Sequence, residues 1–460
     1  MKSETLSRRS FLKGTAALGA GVVGSSLLAA CGPAAGPTAP GAEGGASPDA
    51  AVTEVRIQTP GIPSLETTTN WAVEQFNERQ GDILAISETI PYNEIVKKTD
   101  VGFVSGTLQD LNYGHNKWYK FNSYRGIYIP VDELIDSSPP EEFEDFFPFA
   151  VEGLKWEGQL YCLPDIIKPG PISILYWNKQ LLEEAGIEEP TAEWTMLDLE
   201  AAAREVADPD NGIFGFDAPF DSDLHRLSCI SRAFGEPTLD DKRGWPVNEE
   251  GTEFRLLEPL VSDVLQWLIA MSTDRVIPRS ADSIEGGLFA AGKLAFQIQA
   301  VGFAVQYQEM IADRFEWDFD LMPLGPDGRR GSCNEGNQWM INSQSEVVDE
   351  AWELMKFLTN KEVNKWGALN TIKIPSRISA YLDEEVNAKV PTYGISVPVM
   401  EEWLEPFPMV DNLRYNEVFQ TYQQEIAFLT EGEETWDAYA QTIYDKVQAI
   451  IDEDRPPKAA

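Results

Sequence analysis

Gly287-Leu288-Phe289-Ala290-Ala291-Gly292-Lys293 carries the two glycines and the lysine of a phosphate-cradling loop, whose backbone amides and ammonium would hold phosphate oxygens. Leu294 follows where a Ser or Thr hydroxyl must reach magnesium, so that chemistry lacks its metal contact. Gly19-Ala20-Gly21-Val22-Val23-Gly24 is formally the glycine pattern of a dinucleotide turn, but no strand precedes it. The two histidines, His115 and His225, form no H-E-x-x-H pair, which argues against a zinc hydrolase. The 75 Asp and Glu residues could supply the paired carboxylates of an exported glycoside hydrolase, yet no pair has a spacing that singles it out. Bond-making chemistry has material here but no motif, and neither a metal nor a cofactor is called for.

The scaffold that must position any site is bounded by composition. At 460 residues the chain is too long for one comfortable core and long enough for two lobes. With 43% hydrophobic and 11% aromatic residues, and with strands alternating with helical patterns, it reads as a globular α/β protein. The net charge of −39 repels phosphate backbones and anionic lipid, so nucleic acid is excluded as a partner. Such a surface suits solubility in saline surroundings, where salt screens the self-repulsion, and also leaves room for a cationic ligand.

The first residues are an address. Ser7-Arg8-Arg9-Ser10-Phe11-Leu12-Lys13 is a twin-arginine export signature, followed by a weakly apolar stretch from Gly14 to Ala30. Leu28-Ala29-Ala30-Cys31 resembles a lipoprotein cleavage box, which implies removal of residues 1–30 and lipid attachment to the Cys31 sulfur. A spanning helix would want about 20 strongly apolar residues, which this glycine-rich run does not offer. Residues 31–52, mostly Gly, Pro, Ala and Ser, cannot bury a core and read as a flexible tether. The protein is thus expected outside the cytoplasm, held on the membrane by lipid. Export also permits a disulfide between two of Cys162, Cys229 and Cys333, leaving one free; three buried thiols fit the sequence equally.

From Thr53 the periodicity alternates. Val55–Gln58 suits a strand, Trp71, Val73 and Phe76 mark a helix, and Ile83–Ser87 suits a second strand. A helix follows from Asn93 to Val104, closed at Ser105-Gly106, and Leu108–Tyr113 reads as a third strand. This is β-α-β-α-β, a doubly wound lobe, whose ligands sit beyond the carboxyl ends of its strands; Thr59-Pro60-Gly61 and Gly114–Trp118 therefore face the crevice. Later, Ile172–Trp177 is a nearly continuous apolar run suited to a strand covered on both faces. Asn178 is placed to cap a helix ending at Gly186, and Thr195 and Asp198 have the spacing of a capping box before a helix running through Val206. Leu256–Met271 reads as one amphipathic helix, Thr359–Glu362 as another capping box, and Tyr415–Leu429 and Trp436–Ile450 as closing helices.

These pieces, in this order, resemble extracellular solute-binding proteins of ABC importers, in the sugar-binding branch. "LYWNKQLLEEAGIEEPTAEWTMLDLEAAAREVAD" is similar to the family's strand, Tyr-Asn-Lys, helix, Ala-Gly, Pro, Thr-Trp, helix segment, with Glu193-Trp194-Thr195 departing from the Thr-Trp order. "VSGTLQDLNYG" resembles its small-Gly-x-Pro-Asp strand entry, with Gln109 in place of proline and Asp110 matching. Gly126–Ile135 resembles its "Gly, two apolar residues, Pro-Leu-Asp" stretch, and "WEGQLYCLP" the run leading into the hinge. "GLFAAGKLAFQIQAVGF" resembles its "Phe-x-x-Gly-Lys-Ala-Ala-Met, strand, Gly, aromatic", Phe315–Leu324 its returning hinge strand, and Ile374-Pro375-Ser376-Arg377 its closing "Pro-x-Arg". The resemblance implies a two-lobed periplasmic-binding-protein-like fold (type II). Each lobe would be a doubly wound sheet flanked by helices, and the discontinuous lobes would be joined by a hinge of about three crossings. The lobes would comprise residues 53–169 with 324–371, and 170–323 with 372–455.

The implied function is capture of a sugar or oligosaccharide between the lobes by a monomer, without catalysis, and delivery to the transmembrane subunits of an ABC permease. A sugar offers hydroxyls and flat apolar ring faces, so its receptor needs carboxylates, amides and aromatic rings. Each net hydrogen bond is worth about 1 kcal/mol, so affinity needs many together with cleft closure. Topology and the resemblance together single out His115, Asn116 and Trp118 after the third strand, Asp165 before the hinge and Phe303 after the second lobe's strand. They add Glu335 and Asn337 flanking a glycine loop, and Arg377 and Tyr415 in the closing segments. Trp118 and Phe303 suit cleft or core, the polar loop residues suit ligand contact or turns, and Arg377 suits a ligand or a carboxylate partner. A peptide, a polyol phosphate or a quaternary ammonium solute, the last through cation–π attraction, remain alternatives.

Overall fold

A computed structural model of the chain describes residues 52–170, 172–235, 244–248, 250–403, 405 and 412–453. The export signal, Cys31 and the tether up to residue 51 lie outside the described residues. In chain order the main elements are β1 (Thr53–Gly61), α1 (Pro63–Arg79), β2 (Ile83–Pro91), α2 (Ile95–Ser105), β3 (Leu111–His115), β4 (Leu163–Lys168) and β5 (Ile174–Asn178). They continue with α3 (Lys179–Ala185), α4 (Met196–Val206), β6 (Phe214–Asp217), α5 (Leu224–Ala233), α6 (Pro259–Thr273), β7 (Leu294–Gln299) and α7 (Phe303–Ile311). The last are β8 (Trp317–Leu321), β9 (Glu335–Ile341), α8 (Val348–Leu358), α9 (Lys361–Thr371), α10 (Tyr415–Thr430) and α11 (Trp436–Ile451).

The first sheet has the order β2-β1-β3-β9-β4, with β1 parallel to β2 and β3, and β9 antiparallel to both its neighbours. α1 opens with proline in its first turn, where a missing amide costs nothing, and buries Leu65, Thr68, Thr69, Ala72, Val73 and Phe76 at helical spacing. Its apolar stripe joins Val55 and Ile57 of β1 in the first core. Each such fully buried side chain contributes about 1.5–3 kcal/mol. α2 closes at Gly106 in the left-handed region, as its sequence requires. The third strand starts later than expected, at Leu111, because the amides of Thr107 and Leu108 turn back to the Gly102 carbonyl and close α2. It also runs further, so that His115 is its last residue.

The second sheet has the order β8-β5-β7-β6, with β5 antiparallel to both neighbours. Here the local signals act as read. The Asn178 side chain accepts from the Leu181 amide, and Gly186 ends α3 in the left-handed region. Thr195 and Asp198 cap α4 reciprocally. α4 lies hard against β6: a Cβ on Gly215 would come within 2.1 Å of the Ala203 carbonyl oxygen, so only glycine permits the contact. α6 begins with Pro259, three residues after the expected start. The second expected capping box is displaced by one residue. Thr359 still belongs to the end of α8, its hydroxyl donating to the Met355 carbonyl, and Asn360 caps α9 instead by accepting from Val363.

The second core gathers Leu175 and Trp177 of β5, Leu199 of α4, Leu265 of α6, and Ile426 and Ile443 of the closing helices. Trp436, Tyr439 and Ile450 of α11 are only partly buried against it. The chain passes from the first sheet to the second after Lys168 and returns before Glu335. It passes again after α9, which packs on α1, into a third cluster where Tyr381 and Tyr393 meet Ile174 and Tyr176. Among the described residues no helix is long and apolar enough to cross a membrane.

Candidate functional site

A cavity of about 500 Å³ opens at the carboxyl ends of β1, β2, β3 and β4, against the segment that follows β7. That is where a doubly wound sheet leaves backbone and loops free for a ligand. The first sheet supplies Ile62 to Leu65 after β1, Tyr92 after β2, His115, Ile166 and Lys168, and from β9 Glu335 and Asn337. The second sheet supplies Ala300, Gly302, Phe303 and Gln306, and the chain after α9 adds Ile372 and Ile374.

Strand register assembles the polar corner. β9 places Glu335 opposite Lys168 of β4 and Asn337 opposite His115 of β3, so two antiparallel pairings converge four polar side chains. The Lys168 ammonium lies 2.8 Å from Glu335 Oε2. His115 Nδ1 accepts from the Lys117 amide at 3.1 Å, which leaves Nε2 as the protonated nitrogen, donating to Glu335 Oε1 at 3.2 Å. Asn337 donates to the Gly114 carbonyl and to the Tyr92 hydroxyl, at 3.2 and 3.4 Å. Trp118 sits behind this corner, stacked on His115 at 5.3 Å and edge-on to Tyr92 at 5.9 Å.

A second ring of charge supports the first. His225 of α5 brings Nε2 to 3.3 Å from Glu335 Oε1, while its Nδ1 lies 2.6 Å from Asp223 Oδ1. Asp223 also accepts from the Tyr415 hydroxyl and pairs with the Lys117 ammonium. The first sheet and the helices layered on the second are thus joined beside the cavity by the Lys117–Asp223 ion pair and the His225–Glu335 contact. Burial alone would raise the Glu335 carboxyl, but Lys168, His225 and His115 outweigh it and hold the group well below the usual carboxylate range. Asp223 is held low in the same way, burial being overcome by His225 and Lys117. Burial pushes His115 down to about 4, so at neutral pH the ring is uncharged.

Of the residues expected at the site, His115, Phe303, Glu335 and Asn337 line the cavity. Glu335 and Asn337 do so from within β9 rather than from a loop, Asn337 being paired on both sides and Glu335 with Lys168 of β4. Asn116 continues the backbone pairing to Gly336, and its side-chain amide donates to the Asn334 carbonyl. Tyr415 stands at the far end of the supporting ring. Asp165 and Arg377 are placed elsewhere. Asp165 is buried, paired with Lys373 at 2.7 Å and accepting from Trp339 Nε1. Arg377 is buried, donating to the carbonyls of Thr359, Glu141 and Glu142 and lying 3.8 Å over Phe146. Lys168, Tyr92 and Gln306 were not expected. The first two follow the rule already applied to β1 and β3, since each stands at the carboxyl end of a strand.

Comparison with known proteins agrees with this architecture. The model of the bacterial extracellular solute-binding protein family matches residues 71–392, and that of the twin-arginine translocation signal matches residues 5–24. A relative in Brucella abortus (strain 2308), named as a binding protein, is 24% identical over 279 residues, 60% of this chain. The match spans 64% of that relative's length. Among solved structures, an ABC substrate-binding protein from Listeria monocytogenes in complex with cycloalternan superposes with a TM-score of 0.73 at 19% identity, covering 86% of this chain and 98% of that one. The GacH receptor of Streptomyces glaucescens, solved unliganded and with acarbose, gives 0.71 at 18% identity, covering 88% and 100%. At these identities the likeness establishes the two-lobed fold.

Proposed function

Because the chain belongs to the bacterial extracellular solute-binding protein family, we propose that it captures a neutral sugar or oligosaccharide in the cleft between its sheets and delivers it to an ABC permease. The observation that carries this reading is the polar corner of Glu335, Lys168, His115 and Asn337 on a cavity that also presents the apolar surfaces of Ile62, Ile166, Ile374 and Phe303. The volume falls in the range of about 300–1,000 Å³ common to small-molecule sites. Hydroxyls both donate and accept, so they meet an ammonium, an amide and a carboxylate together, while the ring face meets Phe303.

The same corner disfavours the charged alternatives. Lys168 is already compensated by Glu335, and His115 is neutral, so a phosphate would face a carboxylate without an uncommitted cation. A quaternary ammonium would meet Lys168, and the cavity lining offers it Tyr92 and Phe303 rather than a full aromatic cage. The solutes named with the structural neighbours, cycloalternan and acarbose, support a saccharide.

In this reading the lobes are residues 53–169 with 324–371 and 170–323 with 372–455. Ligand bound to both walls favours the closed arrangement, and the closed form docks on the permease. The protein acts outside the cytoplasm as a monomer, without catalysis, tethered by lipid on Cys31. Thermal-shift screening of the full chain against sugars, betaines, peptides and polyol phosphates tests the ligand class. A rise in melting temperature with saccharides alone supports the reading; a rise only with a charged solute replaces it.

A further inference from the structure

Cys229 and Cys333 are 104 residues apart in sequence, yet their sulfurs lie 3.7 Å from each other. Both are buried, and both belong to the core of the second sheet. Cys162, the remaining described thiol, lies in the core of the first sheet instead. The three sulfurs are unbonded in the structure. Which of them could pair was open from the sequence, and the fold brings two together and sets one apart.

The contact sits where the chain crosses between the sheets. Cys229 is on α5, six residues after the Asp223 cap and four after His225. Cys333 is in the returning segment, two residues before Glu335. The outgoing crossing packs on the same spot: Gly170 has φ +95°, and a Cβ there would come within 3.0 Å of Cys229 Sγ and 3.2 Å of the Cys333 carbonyl oxygen. A larger residue at 170 would wedge between the crossing and the thiol pair.

We propose that Cys229 and Cys333 form a disulfide in the exported protein, a covalent staple between α5 and the strand entry that carries Glu335. The sulfurs must approach from 3.7 Å to bonding distance of about 2.0 Å. Export by the twin-arginine route takes the chain to a compartment where disulfides persist. In the reaction a disulfide of the oxidant breaks and the Cys229–Cys333 bond forms. The two thiol protons and two electrons pass to the oxidant, which leaves as two thiols. Burial pushes the Cys333 thiol up, so the attacking thiolate forms when the crossing opens in the exported chain rather than in the closed core. The staple would fix the spacing between Glu335 and the Asp223–His225 pair, and it stands whether the cavity takes a sugar or another solute.

The full chain, denatured in reductant and refolded in a glutathione redox buffer, is alkylated under denaturing conditions and digested. The expected product is one peptide pair joined through Cys229 and Cys333, two hydrogens lighter than the separate peptides, with Cys162 alkylated. The refolded chain should melt several degrees lower after reduction, and Cys333→Ser should melt like the reduced protein and be unchanged by reductant. Recovery of a folded chain with both thiols alkylated, or a bond from Cys162 to either, overturns the proposal. The linked-peptide readout on the unaltered chain decides the matter even where the serine variant fails to fold.

Discussion

Glu335 stands 3.3 Å from His225 although the carboxylate is on a strand of the first sheet and the imidazole on a helix layered against the second. The two sides of the cleft therefore meet in a polar contact at one edge of the cavity. Lys117, just past β3, repeats the coupling by reaching across to Asp223. A buried carboxylate left without its partners is costly, so these pairs set how freely the sheets can separate on that side.

Phe303 and Trp118 should part company on truncation. Phe303 is half-buried at the cavity, so Phe303→Ala should weaken saccharide binding roughly tenfold, about 1.4 kcal/mol, with little change in melting temperature. Trp118→Ala removes a partly buried ring stacked on His115 and edge-on to Tyr92 and should cost stability first, by about 3 kcal/mol in urea titration. Equal stability losses in the two variants would return Phe303 to the core.

His115 makes stability depend on pH in a predictable sense. Its folded pKa, about 4, lies below the ordinary 6.5, so between those values the unfolded chain binds the extra proton. Stability from this group is complete above about 6.5 and falls as pH drops toward 4, by on the order of 3 kcal/mol. Asp217, pushed up to about 6 by burial, works in the opposite sense over part of that window. The test is therefore a difference: His115→Gln should flatten the fall relative to the unaltered chain. Parallel profiles for the two proteins would contradict the assignment.

Thr195→Ala probes the scaffold alone. The side chain closes the reciprocal cap of α4 with Asp198, remote from the cavity lining. Losing it should cost about 1 kcal/mol in chemical denaturation and leave ligand affinity unchanged. A change in affinity would mean that α4 is coupled to the cleft.

Cys31→Ser tests the tether. The variant should move from the membrane fraction to the soluble fraction while still being exported. Retention on the membrane would point to an anchor other than lipid on that sulfur.

Much of the scaffold was legible because its signals are local. The Asn178 and Thr195 caps and the glycine stops at Gly106 and Gly186 each depend on residues three or four apart. The misplacements share a cause. At Leu108 and Thr359 a preceding helix took the backbone or hydroxyl groups that the next element was expected to use, and that competition is decided by packing. At the cavity, the places of His115, Phe303, Glu335 and Asn337 followed from strand ends and family order. Lys168 also stands at a strand end, but its pairing with Glu335 depends on the register of β9 with β4, two strands far apart in sequence. Arg377 was open between ligand and carboxylate; the fold gave it backbone carbonyls instead.

Calorimetric titration of the full chain and of Glu335→Gln, with the saccharide that most raises the melting temperature, tests the central claim directly. Hydrogen bonds to a charged group contribute about 1.5–3 kcal/mol, so the account predicts one-to-one binding by the unaltered chain and affinity roughly 10- to 100-fold weaker in the variant. Saccharide binding of equal strength in both proteins would place the ligand away from the Glu335 corner and contradict the account.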